Sequence, residues 1–274
     1  MKAALFALAL AAPLAPLAAG QASAPQVLTP SSKWTVEYAD SLCLLSRDFG
    51  SGDSQVKIGI RPTKLGSFTQ LVVVRPENVG KAGRGDAQVV LMPAGIPAKA
   101  TYTTSAPVKG IGRVTVIGIK SAELANLDSS TEIAITFGKA GTIRVIPNGI
   151  AKAMAALRTC EDDLLTSWGV DPKKQASLLK RPDAIGSTGD FWPTDSYPSE
   201  ARQAEEQGAV LVGYTVLTNG RVANCRVLAS SKSASLDKAT CTTVMKFGRY
   251  RPAIGPDGKP TEAFETNRVT WLIE

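Results

Sequence analysis

Histidine is absent from all 274 residues. Its absence removes Ser-His-Asp and Cys-His catalysis, imidazole acid–base chemistry and His-ligated zinc. Aromatic residues make up only 6% of the chain, and no basic stripe interleaves with them, which argues against nucleic-acid binding. The formal charge of +7 is spread evenly and reads as a solvated surface rather than a docking patch. Beyond the first two dozen residues, no run approaches the roughly 18 apolar residues a membrane-spanning helix needs. A Pro-rich spacer and internal repeats are also missing. The 24 glycines and 17 prolines are scattered, as turn-rich β domains require.

The remaining enzyme signals are weak. Ser54–Lys57 and Ser235–Lys238 each have Ser-x-x-Lys spacing, but no Lys-Thr-Gly or Ser-Asp-Asn partner follows. The first reads as part of a strand and the second as a helix cap. Gly83 with Gly85, and Gly110 with Gly112, lack the strand-then-helix context and third glycine of a nucleotide loop. Glu161, Asp162 and Asp163 read as a solvated helix face. Neither an enzyme nor a cofactor is expected.

Lys2, the Ala/Leu-rich run Ala3–Ala19 and the small residues Ala22, Ser23 and Ala24 have the layout of a secretory signal peptide, assigned to residues 1–24. Pro25 is unfavourable directly after a cut, so cleavage after Ala22 or nearer Ala19 is an alternative. The rival reading keeps this segment as an inner-membrane anchor. Pro13, Pro16 and the small-residue end favour cleavage and a periplasmic protein. The chain has four cysteines: Cys43, Cys160, Cys225 and Cys241. An even number in an oxidising compartment implies disulfides.

Residues 25–169 read as a β-rich domain of unknown function. Trp34, Val36 and Tyr38 alternate with polar neighbours, as do Val56, Ile58 and Ile60. Further runs are Leu71–Val74, Val89–Met92, Val114–Ile119, Ile133–Phe137 and Ile143–Ile146, with Arg84-Gly85-Asp86 and Pro147-Asn148-Gly149 among the separators. This pattern predicts a sandwich or partial barrel. The period then becomes helical over Gly149–Ser167, through Ile150, Met154, Leu157 and Leu164, with Gly169 as a stop. Cys160 lies near that apolar face and is placed to bridge Cys43.

Residues 170–196 read as a linker on which Phe191 and Trp192 dock against one neighbour. From Tyr197 a short helix with Pro198 at its first position and Gly208 as its stop precedes a strand carrying Val210, Val212, Tyr214 and Val216 on one face. Asn219-Gly220 supplies two φ > 0 residues for a hairpin turn. The return strand places Ala223, Cys225, Val227 and Ala229 together. Ser235 caps a second helix with Leu236, Ala239, Thr243, Val244 and Phe247 on one face. Cys241 beside that stripe pairs with Cys225. A last strand carries Val269, Trp271 and Ile273 on one face. The fold class is α+β: a β-rich N-terminal domain with one helix, then a three-stranded antiparallel sheet with two helices on one face.

Tyr197-Pro198 with Ala201, Gly208 through Val216, Asn219-Gly220-Arg221-Val222, Ser230-Ser231, Leu236-Asp237 and Arg249-Tyr250-Arg251-Pro252-Ala253 resemble, in this order, the C-terminal domain of the TonB energy transducers. The resemblance spans residues 197–274, and none is found for the preceding half. It implies a module that grips a short peptide of an outer-membrane TonB-dependent receptor by strand addition. The edge maps onto Asn267, Arg268, Val269, Thr270, Trp271, Leu272 and Ile273. The cysteine pair Cys225–Cys241 resembles a variant of the family with a bridge from second strand to second helix. The chain departs from the family in lacking the Pro-rich spacer and the Ser and His residues of a transducer anchor. A periplasmic peptide-binding protein is therefore expected, with a membrane-anchored transducer and a structural, homodimerising envelope protein as alternatives.

Overall fold

The computed structural model describes residues 26–62, 65, 68–138 and 141–273. The segment assigned to a signal peptide lies outside the described residues. The strands of the first half are β1 (Val27–Leu28), β2 (Thr35–Ala39), β3 (Leu42–Phe49), β4 (Val56–Pro62) and β5 (Phe68–Arg75). They continue as β6 (Gly83–Met92), β7 (Pro97–Thr104), β8 (Arg113–Lys120), β9 (Glu132–Thr136) and β10 (Thr142–Val145). They form one sheet in the order β1-β10-β9-β6-β7-β8-β5-β4-β3-β2.

That sheet curls back on itself. Pro30 bridges Phe49, and Gly50 N–H donates to the Thr29 carbonyl at 2.9 Å, so the chain leaving β1 meets the end of β3. The expected partial barrel follows from period-two side chains that put one apolar face inside. Ile58, Ile60, Leu71, Val73, Ile117, Ile119, Ile133 and Ile135 are all buried there. Two strands escaped the sequence pattern. β3 opens on the apolar run Leu42–Leu45 and continues through Ser46, Arg47 and Asp48 without alternating, and β7 carries Lys99, Thr101 and Thr103, with few apolar residues to alternate. Arg84, Gly85 and Asp86, expected to separate strands, lie inside β6 and pair with Thr103, Tyr102 and Thr101. Gly85 serves a strand here because the Tyr102 ring lies 3.1 Å from where a Cβ would stand. Ser54 belongs to a 3₁₀ turn ahead of β4 rather than to the strand.

Helix α1 (Ile150–Ser167) covers the barrel through Ile150, Ala153, Leu157, Cys160 and Leu164, recurring at three- and four-residue spacing. Its start is fixed by the Asn148 carbonyl, which accepts from Trp34 Nε1 at 3.0 Å and from Arg47 Nη1. The Cys43–Cys160 disulfide ties α1 to β3, with Cα atoms 6.1 Å apart.

The 170–196 segment carries more structure than its composition suggested. It holds α2 (Pro172–Ala176), capped by the Asp171 carboxylate, and β11 (Asp183–Ala184). Phe191 is buried and Trp192 half-buried, both in the core of the following module. That module comprises α3 (Ser199–Gln203), β12 (Gly208–Val216), β13 (Val222–Ala229), α4 (Ala234–Phe247), β14 (Tyr250–Arg251), β15 (Ala253–Ile254), β16 (Pro260–Thr261) and β17 (Ala263–Trp271). β11 pairs with β14 and β15 with β16, while β13-β12-β17 form a three-stranded antiparallel sheet.

Several local expectations shift. Pro198 is the cap of α3 rather than its first residue, and the helix ends at Gln203, leaving Gly208 to open β12. The cap of α4 is Ser233, not Ser235: its Oγ accepts from Leu236 N–H at 3.2 Å and donates to Glu206 Oε2. Only Gly220 has positive φ in the β12–β13 turn, at 77°. The loop is the three-residue kind, closed by Gly220 N–H donating to the Leu217 carbonyl and Leu217 N–H donating to that of Arg221. A Cβ on Gly220 would stand 2.0 Å from the Tyr250 carbonyl oxygen. An irregularity at Asn224 (φ 53°) puts Asn224 and Cys225 opposite the single residue Tyr214 and breaks the expected alternation of β13. Val222 is therefore buried in place of Ala223, while Val227, opposite Val212, is exposed. Phe247 is also exposed, its ring 4.8 Å from the Lys246 ammonium instead of against the sheet. Cys225–Cys241 joins β13 to α4.

The two bridges close loops of very different length, with sequence separations of 117 and 16. Cys43→Ala/Cys160→Ala should lower the unfolding free energy by about 5 kcal/mol and Cys225→Ala/Cys241→Ala by about 3 kcal/mol. Urea denaturation of each double variant would check both values.

Candidate partner-binding edge

β12 is the middle strand because both its neighbours need it. Val210, Val212, Tyr214 and Val216 point to one side and are fully buried under α3 and α4. β17 pairs with it over nine residues, from Gly208 opposite Trp271 to Val216 opposite Ala263. Strand alternation then sends Ala263, Glu265, Asn267, Val269 and Trp271 toward α4, and Phe264, Thr266, Arg268 and Thr270 to the other face. Trp271 anchors the end of the strand. Its Nε1 donates to Thr240 Oγ1 at 2.9 Å, while the Thr240 carbonyl accepts from Trp192 Nε1 at 3.1 Å. Tyr197 packs edge-on to Trp271 with centroids 5.3 Å apart.

Beneath the middle of β17 lies a buried polar row. Tyr214 and Tyr250 share a hydrogen bond of 2.7 Å between their hydroxyls. Burial raises the pKa of Tyr214 well above that of an ordinary phenol, and burial pushes Tyr250 up to about 12. Burial likewise pushes Glu265 up to about 7, against the opposing pull of Arg181, whose Nη2 donates to Glu265 Oε1 at 2.6 Å. All three shifts share one cause: an ionised group here loses water faster than its partners replace it.

Among the described residues no strand pairs with the other long side of β17. Residues before the module occupy its first half. Gln175 Nε2 donates to the Phe264 carbonyl at 3.1 Å, Arg181 holds Glu265, and Leu179 N–H donates to the Ile254 carbonyl at 2.9 Å. On the outer face the Phe264 ring sits against Gly213, Arg226 and Trp168, and Arg226 donates to the Trp168 carbonyl. A Cβ at Gly213 would stand 2.3 Å from Phe264 Cζ, so only glycine lets that ring lie flat on the sheet.

The Phe264 carbonyl faces away from β12, so the alternating pattern of an antiparallel strand aims the backbone N–H and C=O of Arg268 and Thr270 the same way. Of the seven residues expected at the edge, Asn267, Arg268, Val269, Thr270 and Trp271 lie in β17. Leu272 and Ile273 lie beyond it and are exposed. Ile273 N–H turns back onto Gln207 Oε1, so this residue does not share the buried side of Val269 and Trp271. The open stretch carries positive charge. Burial, then repulsion from Arg268, depresses the pKa of Arg61, whose Nε donates to Gln70 Oε1 at 2.8 Å. Gln175 and Arg181 were not legible as edge residues, because single polar side chains in a Pro- and Lys-containing segment carry no periodicity.

Residues 193–272 match the family described as Gram-negative bacterial TonB protein C-terminal. The match covers the region that carries the motif resemblance and extends four residues further upstream. No curated protein matches the chain.

Because the folded-state pKa of Glu265 is raised above its ordinary 4.5 to about 7, the folded protein binds this proton more tightly than the unfolded chain. Stability from that group is full below about pH 4.5 and declines as pH rises toward 7, by on the order of 3 kcal/mol. Urea unfolding across this range should show the decline in the parent protein and its absence in Glu265→Gln.

Proposed function

We propose that the C-terminal module of this envelope protein holds an extended peptide of an outer-membrane receptor, or of another envelope partner, by strand addition to β17. The observation that carries the reading is the outward backbone of Arg268 and Thr270 on a strand with one neighbour, in a module matched by the TonB C-terminal family. That family is transport-associated, non-enzymatic and linked to outer-membrane receptors. Strand addition draws affinity from main-chain hydrogen bonds, and an edge without a cover is where such bonds are available. Arg268, with Arg61 close by, favours a strand bearing an acidic side chain at the facing position.

Two features bear on the compartment. Both disulfides suit an oxidising space, and the sequence begins with a signal-like segment. Among the described residues no helix is long and apolar enough to cross a membrane. A folded barrel also stands where a transducer carries an extended spacer. With the disulfides and the signal-like segment, the barrel in place of a spacer makes a periplasmic protein the preferred reading over an anchored transducer.

Thr270→Pro removes one outward N–H and leaves the pairing with β12 intact, since proline is tolerated on the open side of an edge strand. Binding of peptides from receptor plug segments should weaken about tenfold in Thr270→Pro. In Thr270→Ala it should stay within about threefold of the parent. Calorimetric titration would read this. Equal binding by both variants would place the peptide elsewhere, and a stable dimer that binds no peptide would favour the homodimer.

A further inference from the structure

Where β5 ends and β8 begins, two arginines face each other. Arg75 closes β5 and Arg113 opens β8, and the sheet register places them directly opposite. Like charges in that position repel, and burial strengthens the repulsion. Arg113 is 9% exposed; its Nη1 donates to the Ser105 carbonyl at 3.0 Å and its Nη2 reaches the Glu77 carbonyl at 3.4 Å. Arg75 is half-buried and stacks 5.4 Å over the Phe137 ring. The Nε atoms of both side chains are buried and have no hydrogen-bond partner. Neither arginine belongs to an ion pair among the described residues. The nearby carboxylate, that of Glu77, is instead held by Gly110 N–H at 3.1 Å.

The surroundings suit a ligand better than a packed core. Both side chains lie on the inward face of their strands, at the level of the hydrogen-bonded pair Thr104 and Thr115 (2.9 Å) and of Tyr102. The turn after β5 passes over them with Gly80 at φ 83°, where a Cβ would stand 3.1 Å from Arg75 Nη2 and 3.7 Å from Arg113 Cδ. Barrel ends are common ligand positions, and guanidinium forks match the oxygens of carboxylate and phosphate. We infer that this end of the barrel binds a small oxyanion, a carboxylate or phosphate group, between Arg75 and Arg113. The anion neutralises the facing guanidinium groups and supplies the acceptors their Nε donors lack. Burial and the neighbouring Arg113 both depress the pKa of Arg75, in keeping with a site short of negative charge. This inference is independent of the peptide edge.

The test uses the full mature chain with inorganic phosphate or acetate against chloride at matched ionic strength. One of the two anions should raise the melting temperature by about 3 °C or more, and which one does so assigns the ligand class. Arg75→Met should fold as well as the parent in chloride, because a like-charge neighbour has been removed, and should lose the anion response. In the parent protein the side-chain Nε–H signals of Arg75 and Arg113 should move during the same titration. Equal responses of parent and Arg75→Met, or Nε–H signals that stay in place with both anions, would overturn the inference.

Discussion

Among the described residues β17 has one hydrogen-bonded strand neighbour, and the C-terminal half of the molecule is organised around that fact. Its inner side is committed to β12 over nine residues, and Trp271 fastens its end to Thr240 of α4. Its outer side is divided. Gln175 takes the Phe264 carbonyl, while Arg268 and Thr270 present backbone groups past the reach of that side chain. An unpaired strand edge is a liability in any exported protein, because it can recruit unrelated chains. Here the segment before the module covers part of the edge and leaves a stretch of a few residues, short enough to restrict what can pair there.

The barrel contributes to that restriction by its position. α1 leads into Trp168, whose ring lies tilted against Phe264 with centroids 6.3 Å apart and whose carbonyl accepts from Arg226 of β13. α2 follows at once and brings Gln175 to the strand. The Cys43–Cys160 bridge holds α1 to β3, so the element that delivers the cover is tied to the barrel wall. On the module side, Cys225–Cys241 holds α4 over the sheet on the same layer as the Thr240 knot. Tyr214, Tyr250 and Glu265 form a second polar cluster at β17, and Arg181 pairs with the Glu265 carboxylate.

What the sequence revealed tracks how strongly each segment is amphipathic. Strict alternation in Val210–Val216 identified the central strand, and helical spacing through Ile150, Leu157 and Leu164 identified α1. The Cys43–Cys160 pairing followed from the face of α1, and Cys225–Cys241 from the faces of the return strand and the second helix. β7 was hidden because threonine and lysine fill its outward positions, and the Arg84–Asp86 stretch because it looks like a turn when the opposing Tyr102 is unknown. The bulge at Asn224 could not be read either: it turns Val222 rather than Ala223 inward, while Cys225 keeps the face that reaches Cys241. At the candidate site the edge strand was legible from Val269 and Trp271. The cover was not, since Gln175 and Arg181 act through long-range contacts that leave no local pattern.

The most direct measurement is amide-resolved NMR of the isotopically labelled protein during titration with a receptor plug peptide. Strand addition to β17 predicts new protection from hydrogen exchange at the amides of Arg268 and Thr270. The amides of Asn267 and Val269, already paired with β12, would change little. Protection confined to another surface, or none at saturating peptide, would contradict the account.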